Sequence, residues 1–260
     1  VQEVARLQAH QIVEEAMINA NVCAAAFIGA NDSRSLYRLH EAPDSLKLET
    51  LREDLMAIGL HLPEGVPSSL TYQTLLREIA AKEQGWPYQQ LVLRSMKQAV
   101  YGPHNAGHFG LGLERYMHFT SPIRRYPDLL VHRAIKSIVQ GKTNRAGWVP
   151  PLEQLIELGE HCSTNERRAE TAGWTVEAWL KCDLVKRHTG ETLPGTIAGV
   201  TEFGLFVDLD GFYVQGLLHI SDLGADYFRY DARKQSLIGE RSGKRFTLGE
   251  GLVVTVASVE

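Results

Sequence analysis

The residues best suited to chemistry lie together between His118 and Asp128: His-Phe-Thr-Ser-Pro-Ile-Arg-Arg-Tyr-Pro-Asp. Two hydroxyls, Thr120 and Ser121, precede Pro122, which is the pattern of a helix N-cap followed by proline at the first helical position. Ile123, Tyr126, Leu129, Leu130, Ala134 and Ile135 then recur at helical spacing. This frame puts Arg124 and Arg125 in the first turn, beside free backbone N–H groups. Cations there oppose the helix dipole, so they are a poor choice for stability alone. A phosphate, by contrast, is well held by N–H donors and guanidinium forks acting together. The competing reading is two surface arginines with Asp128 as a local partner.

Other candidates flank this stretch. Residues 1 to 28 read as an amphipathic helix, with Val4, Leu7, Ile12, Val13, Ala16, Met17, Ala20 and Cys23 at helical intervals. Glu14, Glu15 and Asn21 interrupt it near that face; carboxylates so placed are most often solvated. Gly107 to Leu113 is glycine-rich but lacks the Lys and Ser/Thr of a P-loop and the spacing of a dinucleotide fingerprint. Its glycines suit a close approach to another backbone or to a ligand. His108 and His118 stand ten residues apart with no third ligand nearby in sequence, a structural pattern more than a metal site.

Leu36 to His40 is a short strand. Leu46 to Ile58, closed by Gly59, and Leu70 to Ala81 and Leu91 to Val100 are helices that serve as scaffold. Loops are expected at 60 to 69 and at 141 to 151, the latter with Gly141, Gly147, Pro150 and Pro151. A long helix follows from Leu152 to about Lys186. After a boundary near His188 to Thr192 the pattern turns to strands: Pro194 to Leu209, Gly216 to Ile220 and Leu252 to Val259. Short strands with Gly and Asp turns suggest a small barrel such as an OB-fold.

Composition sets the outer limits. The 260 residues are enough for one large or two modest domains. No apolar run approaches 18 residues, so no membrane span is expected. Cys23, Cys162 and Cys182 fit neither a disulfide framework nor a zinc site, so a reducing cytoplasm is the natural compartment. A net charge of −4 does not advertise nucleic-acid binding, but local patches rather than totals hold phosphates.

The run from His118 to Asp128, continued by Leu129 to Ile135, resembles the signature of the ribonuclease II/R family of exoribonucleases. The segments Val13 to Asn21, His108 to Leu111 and His161 to Ala169 are similar to the same family. Gly195-Thr196-Ile197, Thr201 to Val207 and Gly216 to Ser221 resemble an S-one-type RNA-binding repeat, which is an OB-fold. The resemblance implies an α+β chain. Residues 1–189 would be the mostly helical C-terminal part of a ribonuclease II-type catalytic domain. Residues 190–260 would be a five-stranded OB-fold β-barrel, its last strand truncated.

The activity implied is processive, magnesium-dependent 3′-to-5′ hydrolysis of RNA to nucleoside 5′-monophosphates. Arg124 would hold the scissile phosphate, and Glu14 would contact the 3′-terminal nucleotide, with Glu15 a neighbour not excluded. Arg125, Tyr126, Thr120, Ser121 and His108 would complete the RNA-binding surface. Phe203, Phe206 and His219 match the positions on which bases stack, and exposed aromatics on a barrel face bind single strands in that way. Phe206 reads equally as core. The partner implied is single-stranded RNA, with no DNA and no membrane.

One feature departs from the family. Its metal site is an Asp-x-x-x-x-x-Asp-x-Asp-Asp cluster, and no such pattern occurs; Asp32, Asp44, Asp54 and Asp128 are scattered. Two-metal hydrolysis needs carboxylates converging on ions about 4 Å apart. The sequence therefore reads as a piece of a longer enzyme whose Mg2+ ligands are elsewhere, and the chain alone is expected to be inactive. The alternatives are a non-catalytic RNA-binding module and a helix-turn-helix DNA binder. The lack of a basic recognition helix argues against the last.

Overall fold

The computed structural model describes residues 5–56, 58–82, 85–141, 149–231 and 235–259. In chain order the elements are α1 (Gln8–Ala30), β1 (Tyr37–Leu39), α2 (Ser45–Met56), α3 (Ser69–Ala80), α4 (Trp86–Ser95), β2 (Val100–Gly102), α5 (Tyr126–Val139), α6 (Leu152–Lys186), β3 (Thr192–Thr201), β4 (Gly204–Leu209), β5 (Val214–His219), β6 (Phe228–Asp231), β7 (Ser236–Gly239), β8 (Arg245–Thr247) and β9 (Gly251–Thr255). They form two compact units. One joins Gln2–Ala42 to Lys97–Ala172; the other joins Pro43–Met96 to Gly173–Glu260. Val4 and Gly147, used in the sequence reading, lie outside the described residues.

In the first unit, α1 buries only its C-terminal half. Ala24, Ala25 and Ile28 pack on Met117, Val131 and Ala134, and the small side chains let α1 and α5 approach closely. The expected stripe is therefore displaced: Ala20 is half-buried, and Leu7, Ile12, Val13, Ala16, Met17 and Cys23 are exposed. The residue that displaces it is Asn21, which is buried and hydrogen-bonded through both its Nδ2 and its Oδ1 inside the unit. By length and composition α1 could cross a membrane, a span that the sequence reading did not expect. Its C-terminal half serves instead as a core element.

β1 and β2 pair antiparallel, Arg38 opposite Tyr101. The expected helix over Leu91 to Val100 is shifted: it starts at Trp86, and Val100 enters β2. Pro87 explains the early start, since proline is favoured in a helix's first turn, where its missing N–H costs nothing. α6 packs on β2 through Gly159 and Ser163, one turn apart. A side chain at 159 would meet the Tyr101 carbonyl oxygen at 2.7 Å. Ser163 Oγ accepts the Tyr101 N–H at 2.9 Å and donates to the Gly159 carbonyl at 2.7 Å. Glycine is thus required for the close approach, and serine fastens it.

The second unit combines α2–α4 with the barrel strands. The sheets are β5-β4-β3-β9 and β6-β7-β8, all antiparallel. Along β4, Leu205, Val207 and Leu209 are buried, so Phe206 and Asp208 take the outer face. β6–β8 were not foreseen: they are only three or four residues long, too short to show a strand period. The helices fasten to the barrel where Gln235 Nε2 donates to the buried Asp54 at 2.9 Å and the Tyr88 hydroxyl donates to the Leu248 carbonyl at 3.4 Å. Burial raises the Asp54 carboxyl above its ordinary value.

Candidate RNA-binding surfaces

The sequence places the helix after Ser121 too early. α5 begins at Tyr126 with Pro127 in its first turn. A helix running through from Pro122 would drive the Pro127 ring into the Ile123 carbonyl and ask for an N–H that proline lacks. Residues 122–124 form a separate turn instead, in which Arg124 N and Arg125 N both donate to the Ser121 carbonyl, at 3.3 and 3.0 Å. Arg125 is the N-cap residue, in extended conformation. Ile123, expected on the apolar stripe, is fully exposed. The charged residue inside the first helical turn is Asp128, an anion, as the dipole favours.

His118, Phe119 and Ser121, which lead into this turn, are pinned from β2, α1 and α5. His118 Nδ1 is 2.8 Å from the Tyr101 hydroxyl on β2. Phe119 N donates to Asn21 Oδ1 at 2.8 Å, and the same amide donates to the Tyr116 hydroxyl at 2.8 Å. The Phe119 carbonyl meets His132 Nε2 at 2.9 Å, and the two rings stack 4.2 Å apart. Ser121 N donates to Asp128 Oδ1 at 2.7 Å. Asn21 and Tyr101 were not singled out as site residues in the sequence. Asn21 showed only as a polar break near an apolar face and Tyr101 not at all, because the partners that give them a role lie 95 and 98 residues away for Asn21 and 17 for Tyr101.

The two arginines are now distinguishable. Arg125 donates to the fully buried Asp128 at 2.8 Å and is itself largely covered. Arg124 is exposed and makes no ion pair or side-chain hydrogen bond among the described residues. The local-partner reading thus describes Arg125, and Arg124 remains the available guanidinium. Tyr126 is exposed beside them; Thr120 is half-buried, with its Oγ1 unpartnered among the described residues.

Behind the loop runs a ladder of rings. His40 and His108 are 5.0 Å apart, His108 and Tyr116 5.3 Å, Tyr116 and His118 5.7 Å, and His118 and Tyr101 5.6 Å. Arg38 covers Tyr101 at 4.7 Å and pairs with Glu166 at 2.6 Å. His108 caps the short 3-10 turn Phe109–Leu111 by accepting the Leu111 N–H at 3.2 Å. Gly110 lies so close to His40 that a Cβ would meet its Nδ1 at 2.7 Å, a close approach of the kind the glycine-rich stretch suggested. Burial, then the neighbouring His40, lowers His108 to about 4. Burial, then the Arg125 and Arg38 guanidiniums, lowers His118 to about 3. Both imidazoles are neutral at pH 7.

Glu14 lies on the exposed N-terminal half of α1, paired with Arg6. Seven residues before Asn21, it shares that residue's face about 10 Å along the helix, whereas Glu15 is turned well away from that face. On the barrel, Phe203 is 49% exposed and meets Phe206 edge-on at 6.0 Å. Phe206 lies half-buried over Gly199, on the outer face. His219 is exposed and in register with Gly204, and its Nδ1 bonds Ser221 Oγ at 2.8 Å. Leu217, opposite Phe206 and exposed, extends this surface; as one leucine in a strand it carried no signal of its own.

Among the described residues no three His, Cys, Asp or Glu side chains gather as a metal site requires.

The RNB domain matches residues 1–141 and the S1 RNA binding domain residues 186–249. Ribonuclease R of Vibrio parahaemolyticus is 45% identical over all of the chain, and that of Escherichia coli 43%. The chain spans about a third of the length of these relatives, 32% and 33%. The solved structure of Mycoplasma genitalium RNase R in complex with ribose methylated single-stranded RNA aligns over 99% of this chain and 41% of its own, with TM-score 0.87 and 26% identity. With more than half of its length matched by the RNB domain, the chain belongs to the RNB family, and an S1 RNA binding domain follows its RNB portion.

Proposed function

We propose that this chain is the RNA-gripping part of a processive 3′-to-5′ exoribonuclease of the ribonuclease R type, acting on single-stranded and structured RNA in the cytoplasm. The observation that carries the reading is the loop from His118 to Asp128. Asn21 of α1 and His132 and Asp128 of α5 pin its backbone, Tyr101 of β2 holds the His118 side chain, and yet Arg124 at its tip is left uncommitted. Rigid support beneath a free guanidinium is what preorganised charge stabilisation requires. In the reaction, water attacks the last phosphodiester, the bond to the preceding O3′ breaks, and a nucleoside 5′-monophosphate leaves. Arg124 meets the charge that builds on the non-bridging oxygens, Glu14 positions the 3′ nucleotide, and Arg125, Tyr126, Thr120, Ser121 and His108 line the path. In sequence terms, residues 1–189 serve as the end of the catalytic domain and 190–260 as the barrel.

The family implies magnesium. The carboxylates described do not converge, so they do not fit a pair of hard cations. For the chain by itself this favours the second reading, a module that binds RNA without cutting it.

On the barrel, Phe203, Phe206 and His219 form a stacking surface, where each stacked base contributes roughly 1–3 kcal/mol. Phe203→Ala is expected to weaken capture of long single-stranded RNA and to leave cleavage of a short bound oligonucleotide by an active enzyme nearly intact. Filter binding and single-turnover cleavage measure the two. Equal loss in both would contradict a role in capture.

A further inference from the structure

The pinned loop contains one donor that the reading above does not use. The Tyr101 side chain is buried, so its hydroxyl proton needs an acceptor. The partner in reach is His118 Nδ1, at 2.8 Å. The phenol is held protonated, its pKa pushed up to about 12 by burial. The phenol therefore donates to Nδ1, and the imidazole proton must sit on Nε2. The ring is half-buried and wedged edge-on between Tyr101 and Tyr116. Its Nε2 has no partner among the described residues. Arg125, Arg38 and Arg124 are all close enough to act on it electrostatically. Arg125 and Arg38 are paired with Asp128 and Glu166, so the uncommitted cation acting on this fixed N–H donor is Arg124, and a donor and a free guanidinium together suit an anion.

Resting on the exoribonuclease reading, we propose that His118 touches the RNA: its Nε2–H is a fixed donor to a phosphate oxygen of the strand that Arg124 grips. α6 sets this donor indirectly, because Gly159 and Ser163 fix Tyr101 and Tyr101 fixes the tautomer. Tyr101 is thus a positioning residue, and His118 is the contact. The donor stays in place while pH changes, since the ring does not ionise in the neutral range.

The test uses the whole chain labelled with 15N-histidine. Long-range 15N–1H correlation spectra between pH 5 and 8 are expected to give His118 as the neutral Nε2–H tautomer throughout, and Tyr101→Phe should release that preference. Adding tetra-adenylate should shift the Nε2–H resonance. His118→Phe keeps a ring and removes the donor; it should weaken tetra-adenylate binding about tenfold. His118→Gln keeps an N–H and should recover most of that loss. A tetramer with neutral methylphosphonate linkages should bind the wild-type chain and His118→Phe alike. An Nδ1–H tautomer, a protonated ring at pH 7, or equal affinity of wild type and His118→Phe for tetra-adenylate would overturn the assignment. No binding by the wild-type chain would overturn the RNA reading itself, and this assignment with it.

Discussion

Arg124→Ala, in an active enzyme carrying this sequence, is expected to lower turnover on the order of a hundredfold with much smaller loss of RNA affinity. Two observations lead there. The exposed Arg124 side chain has no partner among the described residues, so its removal leaves no buried charge and should not disturb the fold. Its neighbour Arg125 is committed to Asp128 and cannot take over. Arg124→Lys should rescue only partly, because an ammonium presents a point charge where a guanidinium presents a planar fork. Single-turnover rates and equilibrium binding on the same oligonucleotide separate the two effects. Near-normal turnover in the alanine variant would rule the assignment out.

Asp128→Ala should act by the opposite route. The carboxylate is fully buried and accepts from both Ser121 N and Arg125. Removing one partner of a buried ion pair leaves the other charge uncompensated, and typically costs about 3–5 kcal/mol. Urea unfolding of the purified chain should register a loss of that order, with Ser121 freed and the Arg124 turn loosened. Asp128→Asn, which keeps an acceptor oxygen, should lose less. A change below about 1 kcal/mol for the alanine variant would mean that the pair contributes little to the loop.

These two residues also mark what the sequence made legible. Residue types alone offered the stretch from His118 to Asp128 as a candidate phosphate site and, in the competing reading, raised Asp128 as an arginine partner. They misplaced the helix start, because Ser-Pro at 121–122 imitates an N-cap and Pro127, the stronger constraint, was passed over. The long helix from Leu152 to Lys186 and the strands around the Gly-Leu-Phe-Val core were readable because local periodicity dictates them. β6–β8 were not, because three- and four-residue strands carry almost no period and depend on neighbours far along the chain. The same limit hid the roles of Asn21 and Tyr101. An asparagine on an apolar helix and a tyrosine in a short strand gain meaning only when Phe119 and His118 are brought against them. Phe206 was ambiguous for a related reason. Strand alternation puts it outside, but only the buried Leu205 and Val207 decide which face is outer.

The central claim is that this chain carries the grip on RNA, while the residues described here offer no carboxylate cluster for the metals of hydrolysis. Incubating purified residues 1–260 with end-labelled single-stranded RNA and magnesium tests it most directly. The account predicts binding that weakens steeply with salt, by about 0.7 in the log–log slope for each phosphate contact, and RNA that keeps its full length. Stepwise shortening from the 3′ end, abolished by EDTA and lost in Arg124→Ala, would contradict it.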